Sequence, residues 1–242
     1  MRKRSAGATK AACICPKPPR IALRWHCALR FASALPARLR QRSPKPGTKT
    51  LMPLKKYSVV SILLILFSVA MAGISNMGEL PDALQPWMIA SPGSTGLDDI
   101  ASGQIWRLVT PVFIHFGPLH LLFNMMWIWD LGKLMETKKG IGFYLGFVLV
   151  VGVASNLAQY LFTGAPNFGG MSGVVYGMFG YLWTLGRTDP SAGFMLNKNV
   201  VVMMLAWLVL CWTGLLGPIA NGAHTAGLLI GAVWGYKLKR AH

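Results

Sequence analysis

Six long apolar runs follow one another between residues 57 and 236, and they constrain this chain more than any other feature. They cover roughly 57–74, 116–135, 141–162, 172–186, 200–216 and 222–236, the fourth being short. A helix needs about 20 apolar residues to cross a bilayer. The expected fold class is therefore all-α: a polytopic membrane protein with six transmembrane helices and no separate soluble domain after residue 52. Composition agrees. Hydrophobic residues make up 53% of the chain and its mean hydropathy is +0.46, too apolar for an ordinary soluble domain. The first run also resembles a signal peptide, with Lys55 and Lys56 before it and Ala70-Met71-Ala72 as a cleavage pattern. A retained helix is the favoured reading.

Charge divides the chain in two. Of the 24 Lys and Arg, 13 lie in residues 1–52, which hold no Asp or Glu; the remainder carries 11 against 7 acids. The net charge of +17 is thus mostly a property of the tail. Residues 1–51 are rich in Arg, Pro, Ala and Ser and show no sustained periodicity, so they are expected to be a disordered basic tail. Met52, followed by Pro53-Leu54-Lys55-Lys56, is expected to be the true translation start, with the tail as a misassigned extension; a basic arm or a transit peptide are the rival readings. The membrane domain then spans 52–242. Nucleic-acid binding is not expected, because no base-reading motif accompanies the basic residues. Three of the four cysteines fall in the tail, which argues against a disulfide framework, and Cys13-Ile14-Cys15 has the wrong spacing for zinc. No metal or cofactor is expected.

With the N-terminus inside, ten cations lie on cytoplasmic stretches (Lys55, Lys56, Lys133, Lys138, Lys139, Arg187, Lys198, Lys237, Lys239, Arg240), and Arg107 alone lies outside. Both termini are therefore expected in the cytoplasm. Runs two, four and six then start at the outer face. His120 falls about one turn into run two, Ser172 opens run four, and His224 lies in the first turn of run six. Polar residues at such depth are costly and mark functional sites. Packing alone accounts for each singly: a glycine cluster brings helices close, and a lone histidine or a His/Asn pair bonds a neighbouring helix. Together they suggest a nucleophile and its base. Glycines in 169–177 clear space around Ser172. Gly173, Gly177 and Gly180 face Gly227, Gly231 and Gly235 as matching small-residue stripes, so run four is expected to pack on run six and bring Ser172 to His224. Tyr176, one turn on, is expected to support the imidazole. Asp130 lies ten residues past His120, roughly 15 Å deeper, and Asp189 lies beyond the inner end of run four, so neither reaches His224. The expectation is a Ser-His dyad. His120, Asn124 and the Ser172 amide at its helix N-terminus would donate to the oxyanion.

These residues, with Trp106-Arg107, His115, Gly132, Glu136, Gly170-Met171-Ser172-Gly173 and Ala223-His224, resemble the rhomboid family of intramembrane serine proteases. The similarity, to bacterial members in particular, runs from about Trp106 to Tyr236 and leaves the first run unmatched. The resemblance implies a six-helix bundle in a bacterial inner membrane that cuts single-span transmembrane substrates near the outer face. It implies Ser172 as nucleophile, His224 as base, Tyr176 stacked on His224, and Gly170 and Gly173 as support. Trp106 and Arg107 would structure the first loop, Glu136 would be structural, and run five with the loop before run six would be gate and cap. Two other readings compete: a catalytically silent family member that binds membrane clients, and a small channel, which lacks an inverted repeat. The sequence sets no oligomeric state.

Overall fold

The computed structural model describes residues 58–94 and 96–238. The expected basic tail and the start at Met52 lie outside the described residues. Six helices of 15 residues or more are present among them: α1 (Val59–Ile74), α2 (Pro118–Lys139), α3 (Ile141–Thr163), α4 (Ser172–Thr188), α5 (Lys198–Trp212) and α6 (Asn221–Leu238). No strand occurs among the described residues.

Local chemistry sets most of the boundaries. Pro118 sits at the first position of α2, where its missing N–H costs nothing, after Gly117 at φ +87°. Gly140, also at φ +87°, ends α2 and leads straight into α3. Gly164 closes α3 in the left-handed conformation and donates its N–H to the Tyr160 carbonyl at 2.7 Å. Asn197 caps α5 by accepting the Asn199 N–H at 2.8 Å. Two expectations shift. Helix α2 continues to Lys139, because its basic last turn suits the negative end of a helix. Helix α5 stops at Trp212, not near 216, because Gly214 (φ +77°) and Gly217 (φ +82°) turn the chain.

Helix α4 forms the centre, with eleven of its 17 residues buried. An aromatic group below the site joins Phe143 and Phe147 of α3, Tyr181 of α4 and Trp234 of α6, with ring centroids 5.1 to 5.7 Å apart. Of the described helices, only α3 is both long and apolar enough to qualify as a span by itself. Helices α1 and α5 are apolar but short, and polar residues and glycines dilute α2, α4 and α6. The outer surface still carries exposed Leu63, Leu66, Leu122, Leu149, Val209 and Leu229 on five helices, a coat suited to lipid.

The α4–α6 contact is as the glycine stripes predict. A Cβ on Gly227 would lie 2.0 Å from the Gly173 carbonyl oxygen, and one on Gly231 would lie 1.9 Å from that of Gly177. Backbone therefore rests on backbone, and no side chain larger than hydrogen fits between them. At the opposite end of the bundle from Ser172, the Glu136 carboxylate of α2 receives the Val59 N–H at 3.1 Å, the Val60 N–H at 3.0 Å and the Ser58 hydroxyl. It caps the otherwise unpaired first turn of α1.

Candidate active site

Ser172 is the first residue of α4, and His224 stands one turn into α6. The glycine contact brings them together: Nε2 of His224 lies 2.8 Å from Oγ of Ser172. Nδ1 of His224 is buried and has no hydrogen-bond partner, so no carboxylate orients the ring. The Tyr176 ring packs against the imidazole with centroids 4.9 Å apart, and its hydroxyl donates to the Met204 carbonyl of α5 at 3.1 Å.

His120 borders the same space from α2. The Phe116 N–H donates to its Nδ1 at 3.3 Å, so in the neutral ring the proton sits on Nε2. That Nε2 faces Gly170. A Cβ on Gly170 would come within 2.7 Å of it and 3.5 Å of the Ser172 hydroxyl oxygen. Gly170, at φ +121°, thus leaves open the space that both groups border. The buried Asn124 turns back on its own helix and donates to the His120 carbonyl at 2.8 Å. The structure brings it beside His120 but gives it no bond to Ser172.

The turn before Ser172 is bolted to the end of the first loop. Gly169 packs so closely that a Cβ would lie 2.8 Å from the Ile114 oxygen and 2.9 Å from that of Pro111. Gly170 donates its N–H to the Pro111 carbonyl at 3.0 Å. His115 completes the join: its Nδ1 donates to the Phe113 carbonyl at 3.0 Å, and its Nε2 receives the Met171 N–H at 3.5 Å. The first loop is in turn gathered around Arg107, which is buried. Its guanidinium donates to the carbonyls of Gln85 (2.7 Å) and Met88 (2.8 Å), to the Gln104 side chain and to the Ser91 hydroxyl. Trp106 donates its indole N–H to the Pro86 carbonyl at 3.1 Å. Asp99 accepts the Ser91 N–H, which holds its carboxyl below the ordinary carboxylate range, with help from Arg107.

A hydroxyl on an imidazole nitrogen, beside an aimed N–H donor and a helix N-terminus, is equipment for acyl transfer. The rhomboid domain model matches residues 102–241, more than half the chain and all of this site. The chain belongs to the rhomboid family. It is 39% identical over 135 residues to Rhomboid protease GlpG of Salmonella paratyphi A, a match covering 55% of this chain and 49% of that protein. The GlpG of Salmonella choleraesuis is 40% identical and that of Salmonella newport 39%, each over 135 residues with the same coverage. The chain therefore spans about half the length of the curated relatives it matches. Family membership makes this a polytopic membrane bundle, although length and hydropathy alone single out one of its helices.

Within this rhomboid bundle, three residues of α3 support the site without having stood out in the sequence. Gln159 accepts the Ala223 N–H at 3.2 Å, one residue before His224. Asn156 donates to the Leu108 carbonyl at 2.8 Å. Ser155 fits between Gly173 and Gly227, where a Cβ on either would strike it. Their presence, though not their partners, was legible: three polar residues within five positions of an otherwise apolar run, all three buried in the structure. His115, which the sequence ranked as a loop-boundary residue, is fully buried and ties both halves of the site.

Proposed function

We propose that this protein is an intramembrane serine endopeptidase that cleaves single-span membrane proteins near the outer membrane face. The observation that carries the reading is the 2.8 Å approach of His224 Nε2 to Ser172 Oγ with no third, acidic member. Ser172 Oγ attacks the scissile carbonyl as Nε2 takes its proton. The oxyanion forms in the space left by Gly170, facing the His120 Nε2–H and the Ser172 N–H, with Asn124 beside them as a further donor. Each such donor is worth roughly 3 kcal/mol in the transition state. The imidazolium then protonates the leaving amine, and water hydrolyses the acyl-enzyme through the same base.

The bilayer shapes the substrate requirement. A transmembrane helix hides its carbonyls in hydrogen bonds, so the cut falls where it unwinds, near glycine, proline or another small residue. Water enters from the outer face and substrate arrives from lipid. The excess of cations at the inner ends of the helices supports cytoplasmic termini, and the similarity to the Salmonella proteins supports a bacterial inner membrane. The Arg107 clamp supports Trp106 and Arg107 as organisers of the first loop.

A fluorophosphonate probe tests the reading. Labelling at Ser172 that disappears in His224→Ala is the expected result. An unlabelled wild type would favour a silent, client-binding member of the family.

A further inference from the structure

Two buried polar atoms at the start of α6 have no hydrogen-bond partner: Nδ1 of His224 and Oδ1 of Asn221. They are chemically complementary. When Nε2 of His224 accepts the Ser172 hydroxyl, the neutral ring carries its proton on Nδ1 and needs an acceptor there. Asn221 offers one. Its Nδ2 donates to the Cys211 carbonyl of α5 at 3.1 Å, which fixes which end of the amide is oxygen. The two residues are three apart on one helix, the spacing that puts side chains on one face. A buried orphan donor and a buried orphan acceptor this close in the chain call for a common explanation.

We infer that Asn221 is the positioning residue for the catalytic base, its Oδ1 receiving the His224 Nδ1–H through one bridging water. The inference rests on the reading of Ser172 and His224 as nucleophile and base. Asn221 holds the tautomer and orientation of the ring as a triad carboxylate does, but without burying a charge next to Ser172. The ionisable groups that face the imidazole are Tyr176 from α4 and His120 from α2, with Cys211 of α5 behind Tyr176; α3 contributes the uncharged Ser155 and Gln159 to this region. Because the same amide grips α5 through Cys211, a displacement of α5 would be felt at the base.

The test follows the rate of fluorophosphonate labelling at Ser172 against pH, in the full chain, for the wild type and for Asn221→Ala, Asn221→Asp and Trp212→Phe. Labelling does not depend on docking a transmembrane substrate. Asn221→Ala should slow it about tenfold, the value of one hydrogen bond of this kind. Asn221→Asp keeps an acceptor and adds a charge that favours the imidazolium, so its half-maximal rate should move to higher pH by about one unit, with the alkaline plateau retained. Trp212→Phe removes a neighbouring α5–α6 hydrogen bond without touching Asn221 and should label like the wild type. The inference is overturned if Asn221→Asp is slowed as much as Asn221→Ala at every pH, or keeps the wild-type midpoint. Equal slowing of Trp212→Phe and Asn221→Ala would also overturn it, by showing that Asn221 acts only as a fastener between helices. Labelling of Ser172 that survives in His224→Ala would remove the dyad reading and this inference with it.

Discussion

Helices α4 and α5 meet where Tyr176 of α4 reaches the Met204 carbonyl of α5, yet they are held in opposite ways. Helix α4 buries most of its length and rests on α6 backbone to backbone at Gly173, Gly177, Gly227 and Gly231. Helix α5 buries only Met204 and Cys211. Its polar ties to the rest of the bundle are single hydrogen bonds: Tyr176 to the Met204 carbonyl, Asn221 to the Cys211 carbonyl, and Trp212 to the Thr225 hydroxyl at 3.2 Å. The Ser172–His224 pair thus rides on the contact that cannot slide, because any gap there would break many dispersion contacts at once. The lightly held wall lies beside the pair. This difference fits the proposed chemistry, in which the pair must stay within hydrogen-bond reach while a substrate helix enters from the side.

Substitutions that exchange these properties should separate the two regions. The largest effect is expected at the glycine contact. Gly231→Leu places a Cβ within 1.9 Å of the Gly177 oxygen and must force α4 and α6 apart. Overpacking of this kind costs about 3 kcal/mol, and the Ser172–His224 contact should open. Thermal unfolding and proteolysis should both fall sharply; a variant with wild-type melting would break the comparison. Tyr176→Phe should have an intermediate effect. It keeps the ring on His224 but leaves the Met204 carbonyl unpaired, a loss of about 1 kcal/mol. Melting should drop by a few degrees, with turnover reduced less than tenfold. The smallest effect is expected from Trp212→Phe, which loses one half-exposed hydrogen bond and keeps the ring near Phe162. Its cost should be about 0.5 kcal/mol, with cleavage of a membrane substrate equal to or above wild type. A stability loss as large as that of Gly231→Leu would show that α5 is structural rather than lightly held.

The same contrast explains what could be read from the chain alone. The α4–α6 contact was legible because its information is local: glycines at helical spacing on two runs, each opening with a chemically capable residue. Ser172, His224 and Tyr176 followed from that, and His120 from its place one turn into the second run. The limits of α5 were not legible, since an apolar loop, residues 214–219, continues an apolar helix and only glycine conformation separates them. The roles of His115, Gln159 and Asn156 depend on partners 48 or more residues away and could not come from spacing. Asn124 illustrates a further limit: spacing put it on the face of His120, but could not show that one of its two amide protons goes to the His120 carbonyl.

The most direct test of the central claim is cleavage of a single-span model substrate reconstituted with the full-length protein in liposomes. Wild type should release a fragment cut near the outer end of the substrate helix. Ser172→Ala should reduce the rate by a factor on the order of 10^4 to 10^6 while melting like the wild type. Proteolysis retained by Ser172→Ala would contradict the account.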